Sequence, residues 1–160
     1  MRLLLVCVGR SKTGPERDLA TRYIKRAAAA GSVIGFSKVE LREVEESRAG
    51  FSPDRKRDEA RALRSLLTAR ATVIAFDEVG ERITSRGFAA LLGRARDEGV
   101  ASTVVVIGGP DGLDPAFLDS ASRALSLGPM TWPHQLARVM AAEQIYRATT
   151  ILSGHPYHRD

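Results

Sequence analysis

The residues Gly108-Gly109-Pro110-Asp111-Gly112 carry the most concentrated candidate chemistry in the chain. They end the strongest β run, Thr103-Val104-Val105-Val106-Ile107. Asp114-Pro115 follows, a capping residue and a first helical position. In open α/β sheets, ligands bind outside the carboxyl ends of the strands. Glycines there let a ligand approach the backbone and permit positive φ. The GxGxxG spacing is absent, so the segment reads either as a ligand cradle of another kind or as a plain turn. Gly9-Arg10-Ser11-Lys12-Thr13-Gly14 opens like a phosphate loop, but Pro15-Glu16 stands where Lys-Ser/Thr is required. No side chain there reaches terminal phosphates or holds magnesium, so an ATPase of that type is excluded.

The three histidines, His134, His155 and His158, all fall near the C-terminus. Apart from Asp160, no Asp, Glu or Cys accompanies them at ligand spacing, and no metal is expected. Tyr157, His158 and Arg159 place stacking, proton transfer and phosphate pairing in three adjacent residues. That composition suits an RNA-facing tail, although a polar terminus of this kind is also what a solvated end looks like. Cys7 lies in an apolar run, where a thiol acts as a small hydrophobe, and no GxSxG elbow occurs.

These groups need elements to position them. The 160 residues fit one domain, residues 1–160. An apolar share of 44% and a charged share of 27% argue against disorder. The lone cysteine points to a reducing, cytoplasmic compartment, and no apolar run approaches a membrane span. The opening run is too short and too soon charged for a signal peptide. The pattern predicts strands at 3–8, 33–41, 72–76, 103–107 and 124–127. Helices are predicted at 15–30 (stopped by Gly31), from a Ser52 cap to about 69, from 84 or 85 to 98, briefly after Asp114, and at 133–150. The alternation implies an α/β fold with a mostly parallel sheet. Net charge is +5, with 20 Arg against 4 Lys. This balance either marks a nucleic-acid partner or reflects an arginine-rich composition. The tightest basic cluster is Arg55-Lys56-Arg57.

Several segments taken together resemble one bacterial family. They are Val106-Ile107-Gly108-Gly109-Pro110-Asp111-Gly112-Leu113, Ala124-Leu125-Ser126-Leu127, Met130-Thr131-Trp132-Pro133-His134-Gln135-Leu136-Ala137-Arg138-Val139, Glu143-Gln144-Ile145-Tyr146-Arg147-Ala148 and His155-Pro156-Tyr157-His158-Arg159. The family is the pseudouridine N3-methyltransferases of large-subunit ribosomal RNA, of the SPOUT class. The resemblance spans essentially the whole chain. It implies a C-terminal trefoil knot within about residues 72–150, S-adenosylmethionine as cofactor, ribosomal RNA as partner and a homodimer. It further implies that the cofactor is held by Phe76, Gly108 and the loop Leu127, Gly128, Pro129, Met130, Thr131, Trp132. The family usually has leucine where Phe76 stands. A Gly-Pro turn exposes backbone groups that can read adenine edges, and Met130 and Trp132 supply apolar walls.

A sulfonium donor leaves neutral, so neither strong acid nor metal is required. The protein must align the acceptor nitrogen, and such positioning supplies ~7–11 kcal/mol. The acceptor N–H must also lose its proton, for which His158 and His134 are the neutral-pH candidates. Tyr157, His158 and Arg159 are accordingly the expected substrate-side residues. A dimer is expected to bury Leu136, Val139 and Met140, beside Arg138 and Tyr146. The alternative is a non-catalytic ribosome-binding assembly or silencing factor. The Gly108–Gly112 turn and the 127–132 loop argue against it, because a pure binder needs no cofactor pocket. A generic nucleotide-binding module is disfavoured by the missing phosphate fingerprints.

Overall fold

The computed structural model describes residues 1–158. Five parallel strands lie in the order β2-β1-β4-β3-β5. They are β1 (Arg2–Val8), β2 (Lys38–Val44), β3 (Ala71–Glu81), β4 (Ser102–Ile107) and β5 (Arg123–Leu125). The helices are α1 (Pro15–Ser32), α2 (Ser52–Ser65), α3 (Ser85–Asp97), α4 (Pro115–Ser120) and α5 (His134–Ser153). The period-two alternation of strand side chains builds two cores. Leu3, Leu5 and Cys7 join Val105 and Ile107 beneath α1, α3 and α5. Leu4, Val6 and Val8 join Val104 and Val106 beneath α2 and α4, against Leu63 and Phe117. Both faces are covered, which is why β4 is buried along its whole length and apolar from Val104 to Ile107.

The structure moves several predicted boundaries. Gly31 does not stop α1. It lies inside the helix because its bare Cα admits Phe36, which would meet a Cβ there at 3.1 Å. Ile34 and Phe36 both donate N–H to the Gly31 carbonyl, so residues 33–36 form a turn that plugs the core with Phe36. The second strand therefore begins at Lys38 rather than at 33. Ser52 is the first helical residue of α2 and Phe51 is its cap, with no side-chain bond. That helix ends at Ser65, short of residue 69. β3 continues past residue 76 to Glu81, where it meets Leu125 after a register shift. β5 ends at Leu125, before the predicted residue 127, and α5 continues to Ser153, beyond the predicted residue 150. The Asp114 cap holds as expected, accepting from Phe117 N at 3.0 Å, and of the two predicted starts Thr84 proves to be the cap of α3, accepting from Gly87 N at 3.0 Å.

Candidate active site

The register sets Phe76 of β3 beside Ile107 of β4 and Leu125 of β5. The loops leaving these strands must therefore emerge together at one sheet end. Between them lies a cleft of about 430 Å³, within the size range of small-molecule sites. Phe76, Ile107, Leu113 and Leu127 give it apolar walls, while Asp77 and Glu78 add carboxylates.

The glycine turn is tightly folded. Gly112 N donates to Gly109 O at 2.9 Å, and Gly112 sits at φ +82°. A Cβ on Gly108 would lie 3.0 Å from the Gly112 carbonyl carbon and 3.1 Å from Leu113 N. One on Gly109 would lie 3.0 Å from Val8. These glycines are required by close packing at the strand end. Asp111 is clasped by Arg55 through Nε at 2.6 Å and Nη2 at 3.1 Å. Arg55 also donates to the carbonyls of Ala49 and Gly50, so one fork joins the turn to the loop before α2. The Arg55 bonds hold the Asp111 carboxyl below its ordinary range.

The third wall is the 127–132 loop. Ser126 Oγ donates to Gly128 O at 3.0 Å and accepts from Gly128 N at 3.1 Å, closing a turn in which Gly128 takes φ +114°. Among the described residues, the N–H groups of Leu127, Met130, Thr131 and Trp132 take no backbone partner. They are available to a ligand. Met130 and Trp132 stand exposed at the rim, and His134 opens α5 beside them.

Beneath this region lies a buried ionic network. Arg138 is the largest fully buried side chain. It donates to Glu43 at 2.6 Å, to the Gly9 carbonyl at 2.6 Å and to the hydroxyl of Ser11. Ser11 N donates to Glu43 at 2.8 Å, and Ser11 Oγ to Gln135 at 3.0 Å. Burial pushes the Glu43 carboxyl up, and the Ser11 N–H and Arg138 guanidinium more than reverse it, holding it below the ordinary range. Burial raises the Cys7 thiol to about 12, despite Arg138 nearby, so it is no nucleophile at neutral pH.

A family model described as "Predicted SPOUT methyltransferase" matches residues 1–158. The chain belongs to the SPOUT methyltransferase family. It is 57% identical over 159 residues, 99% of each chain, to the "Ribosomal RNA large subunit methyltransferase H" of Beijerinckia indica. It is 55% identical, over the full length of both, to the protein of that name from Methylocella silvestris. Among solved structures it is similar in fold to a probable methyltransferase from Bordetella pertussis, with TM-score 0.50 and 20% identity. That match covers 92% of this chain and 95% of the other.

Within this SPOUT methyltransferase the predicted residues divide into two groups. Phe76, Gly108, Leu127, Gly128, Met130, Thr131, Trp132 and His134 meet at the cleft, and Pro129 turns the same loop outside its wall. Tyr157 and His158 sit at the other end of α5. That helix has 20 residues and spans roughly 30 Å. The tail is not a loose polar end. Tyr157 packs against Tyr146 with tilted rings 4.6 Å apart, lies beneath Arg147 and donates its hydroxyl to Glu143 at 3.0 Å. His158 Nδ1 is 3.3 Å from Arg147. The Tyr157 phenol is pushed far above its ordinary range, by burial first and by its Tyr23 and Glu143 neighbours. Arg159 lies outside the described residues. Arg138 and Tyr146, expected beside a subunit surface, are both buried within the chain. Asp77, Glu78 and the Arg55–Asp111 clasp were not singled out from the sequence. The acids at 77 and 78 directly after a buried strand were the available signal.

Proposed function

We propose that this protein transfers a methyl group from S-adenosylmethionine to N3 of a pseudouridine in large-subunit ribosomal RNA, acting as a homodimer on assembled ribosomes. The observation that carries the reading is the three-loop cleft at the carboxyl ends of β3, β4 and β5 in a chain whose full-length relatives bear the name of a ribosomal RNA large subunit methyltransferase. The cleft residues fit the cofactor. Phe76, Ile107 and Leu127 offer faces to an adenine ring, and the partnerless N–H groups of the 127–132 loop can satisfy its polar edge. Asp77 and Glu78 can accept hydroxyl or ammonium donors. Bound there, the cofactor supplies an electrophilic methyl on a cationic sulfur.

The remaining work falls to the chain. The apolar walls exclude water, and the clasped glycine turn fixes the backbone against which the acceptor must be aligned. His134 stands at the cleft and can hold or pass the acceptor's N3 proton through a ring nitrogen. Tyr157, His158 and Arg159 are the substrate-side residues. Separated from their own cleft by the length of α5, they serve the cleft of the other subunit in the dimer. Tyr157 can stack on a splayed base, and Arg159 can pair with phosphate. Exposed Met130, Trp132 and Leu136 supply apolar surface for the subunit contact. The same reading threads the C-terminal segment through a trefoil knot. Within it, the backbone of Leu125 packs so closely on Gly80 that a Cβ there would lie 2.4 Å away.

Calorimetric titration with S-adenosylmethionine, followed by transfer of a labelled methyl to ribosomes, tests the reading. Saturable cofactor binding with label in large-subunit RNA is expected. A protein that binds ribosomes but no cofactor would replace this reading with a non-catalytic one.

A further inference from the structure

Many cations of this protein stand beside a carboxylate. On α2, the densest basic stretch of the sequence, Arg55 pairs with Asp111, Arg57 with Asp54 and Arg61 with Asp58. Helix α1 gathers three cations without such a partner on one face. Arg22, Lys25 and Arg26 are spaced i, i+3, i+4, so they share one helix face, and all three are exposed. Among the described residues none of them has a carboxylate partner within ion-pair distance. They border a shallow depression of about 370 Å³ together with Asp18 and Thr21. The opposite face of α1, with Ala20, Ile24 and Ala27, is buried in the core shared with α5. Position 23 links the basic face to the tail. Tyr23 lies 6.0 Å from Tyr146, Tyr146 lies 4.6 Å from Tyr157, and Arg26 stands 5.9 Å over the Tyr146 ring.

We infer that the Arg22–Lys25–Arg26 face of α1 is a docking track for the phosphate backbone of the ribosomal RNA substrate, continuous with the tail at Tyr157. The inference rests on the proposed function for its RNA partner. The charge complementarity is direct: three cations with no carboxylate in ion-pair distance form an exposed stripe on one helix face, beside the tyrosine cluster that anchors the tail. Arginine at two of the three positions favours bidentate phosphate contacts, with lysine as a point charge between them.

The test is ribosome binding by the full-length protein as a function of salt, with the cofactor affinity measured in parallel. The variant Arg22→Gln/Lys25→Gln leaves the Arg26–Tyr146 contact and the core intact. Each phosphate contact contributes about 0.7–0.9 to the slope of log affinity against log salt. Two lost contacts should lower the slope by about 1.4–1.8, which is about 25- to 60-fold in affinity near 0.1 M salt. Cofactor affinity should not change. A control, Arg70→Gln/Arg94→Gln, removes the same charge from two exposed sites elsewhere and should leave the slope near wild type. An unchanged slope in the α1 variant, or an equal loss in the control, would overturn the assignment. A changed sedimentation coefficient with an unchanged slope would give this face to a second copy of the chain and overturn it too. The slope does not depend on turnover. Failure of the wild type to methylate would therefore count against the proposed function, and the slope would still decide the docking track.

Discussion

Replacing Glu43 by glutamine strands a buried cation. Arg138 is 1% exposed, and Glu43 is its carboxylate partner at 2.6 Å. Removing one partner of a buried pair costs about 3–5 kcal/mol, because the remaining charge has no compensation. Two features reduce that here. The Glu43 side chain is 25% exposed, and glutamine keeps an acceptor oxygen for Ser11 or Arg138. A loss of about 2–3 kcal/mol follows, and at about 2–4 °C per kcal/mol for a chain of this size the midpoint should fall by about 4–12 °C. The assays are thermal unfolding for the midpoint and urea unfolding for the free energy, both at fixed protomer concentration, with the m-value checked for constancy. The acid limb supplies a second readout. Glu43's folded pKa is depressed, so its contribution is present above the ordinary carboxylate value of about 4.3 and is lost as pH falls through the folded value. In Glu43→Gln the decline of stability across that acid window should be shallower than in wild type. An unfolding free energy within about 0.5 kcal/mol of wild type, the range of ordinary surface changes, would contradict this.

Four further outcomes are expected. Gly108→Val should abolish S-adenosylmethionine binding in calorimetry while leaving the oligomeric state unchanged, since its Cβ already meets the turn at 3.0 Å; unchanged affinity would remove Gly108 from the site. Deleting residues 157–160 should eliminate single-turnover methylation yet spare cofactor binding, whereas a merely solvated end predicts wild-type turnover. Sedimentation at micromolar concentration should give about twice 17.3 kDa, and assembled ribosomes should be methylated faster than an isolated stem-loop. A methylating monomer, or equal rates on both substrates, would contradict the last pair.

The parts of this fold that were legible in the sequence are those fixed by local patterning. The buried runs around Leu5, Ile74 and Val105 could only be strands in a sheet covered on both faces, and the Thr84 and Asp114 caps follow from local chemistry. Gly31 and Phe36 misled because the need for glycine there comes from a side chain five positions later, whereas a stop signal is read from position alone. The cleft-lining loops were legible through the family resemblance. The groups that stiffen them were not, because each joins distant parts of the chain. Arg55 meets Asp111 across 56 positions, and Arg138 meets Glu43 across 95. Arg55 read as part of a basic cluster and Arg138 as a neighbour of the expected subunit surface, since nothing local distinguishes a paired arginine from a free one. The tail's attachment to Glu143 and Tyr146 was hidden for the same reason: its polar composition gives no sign of the tilted aromatic contact that holds it.

The central claim is the transfer of a methyl group to one nitrogen of one modified base. It is tested most directly by incubating the protein with unmethylated ribosomes and isotopically heavy S-adenosylmethionine, then digesting the large-subunit RNA to nucleosides for mass spectrometry. One heavy methyl per large subunit is expected, carried on N3 of pseudouridine, and none on ribosomes that lack the pseudouridine. Heavy methyl on a ribose hydroxyl, on another base, or nowhere would contradict it.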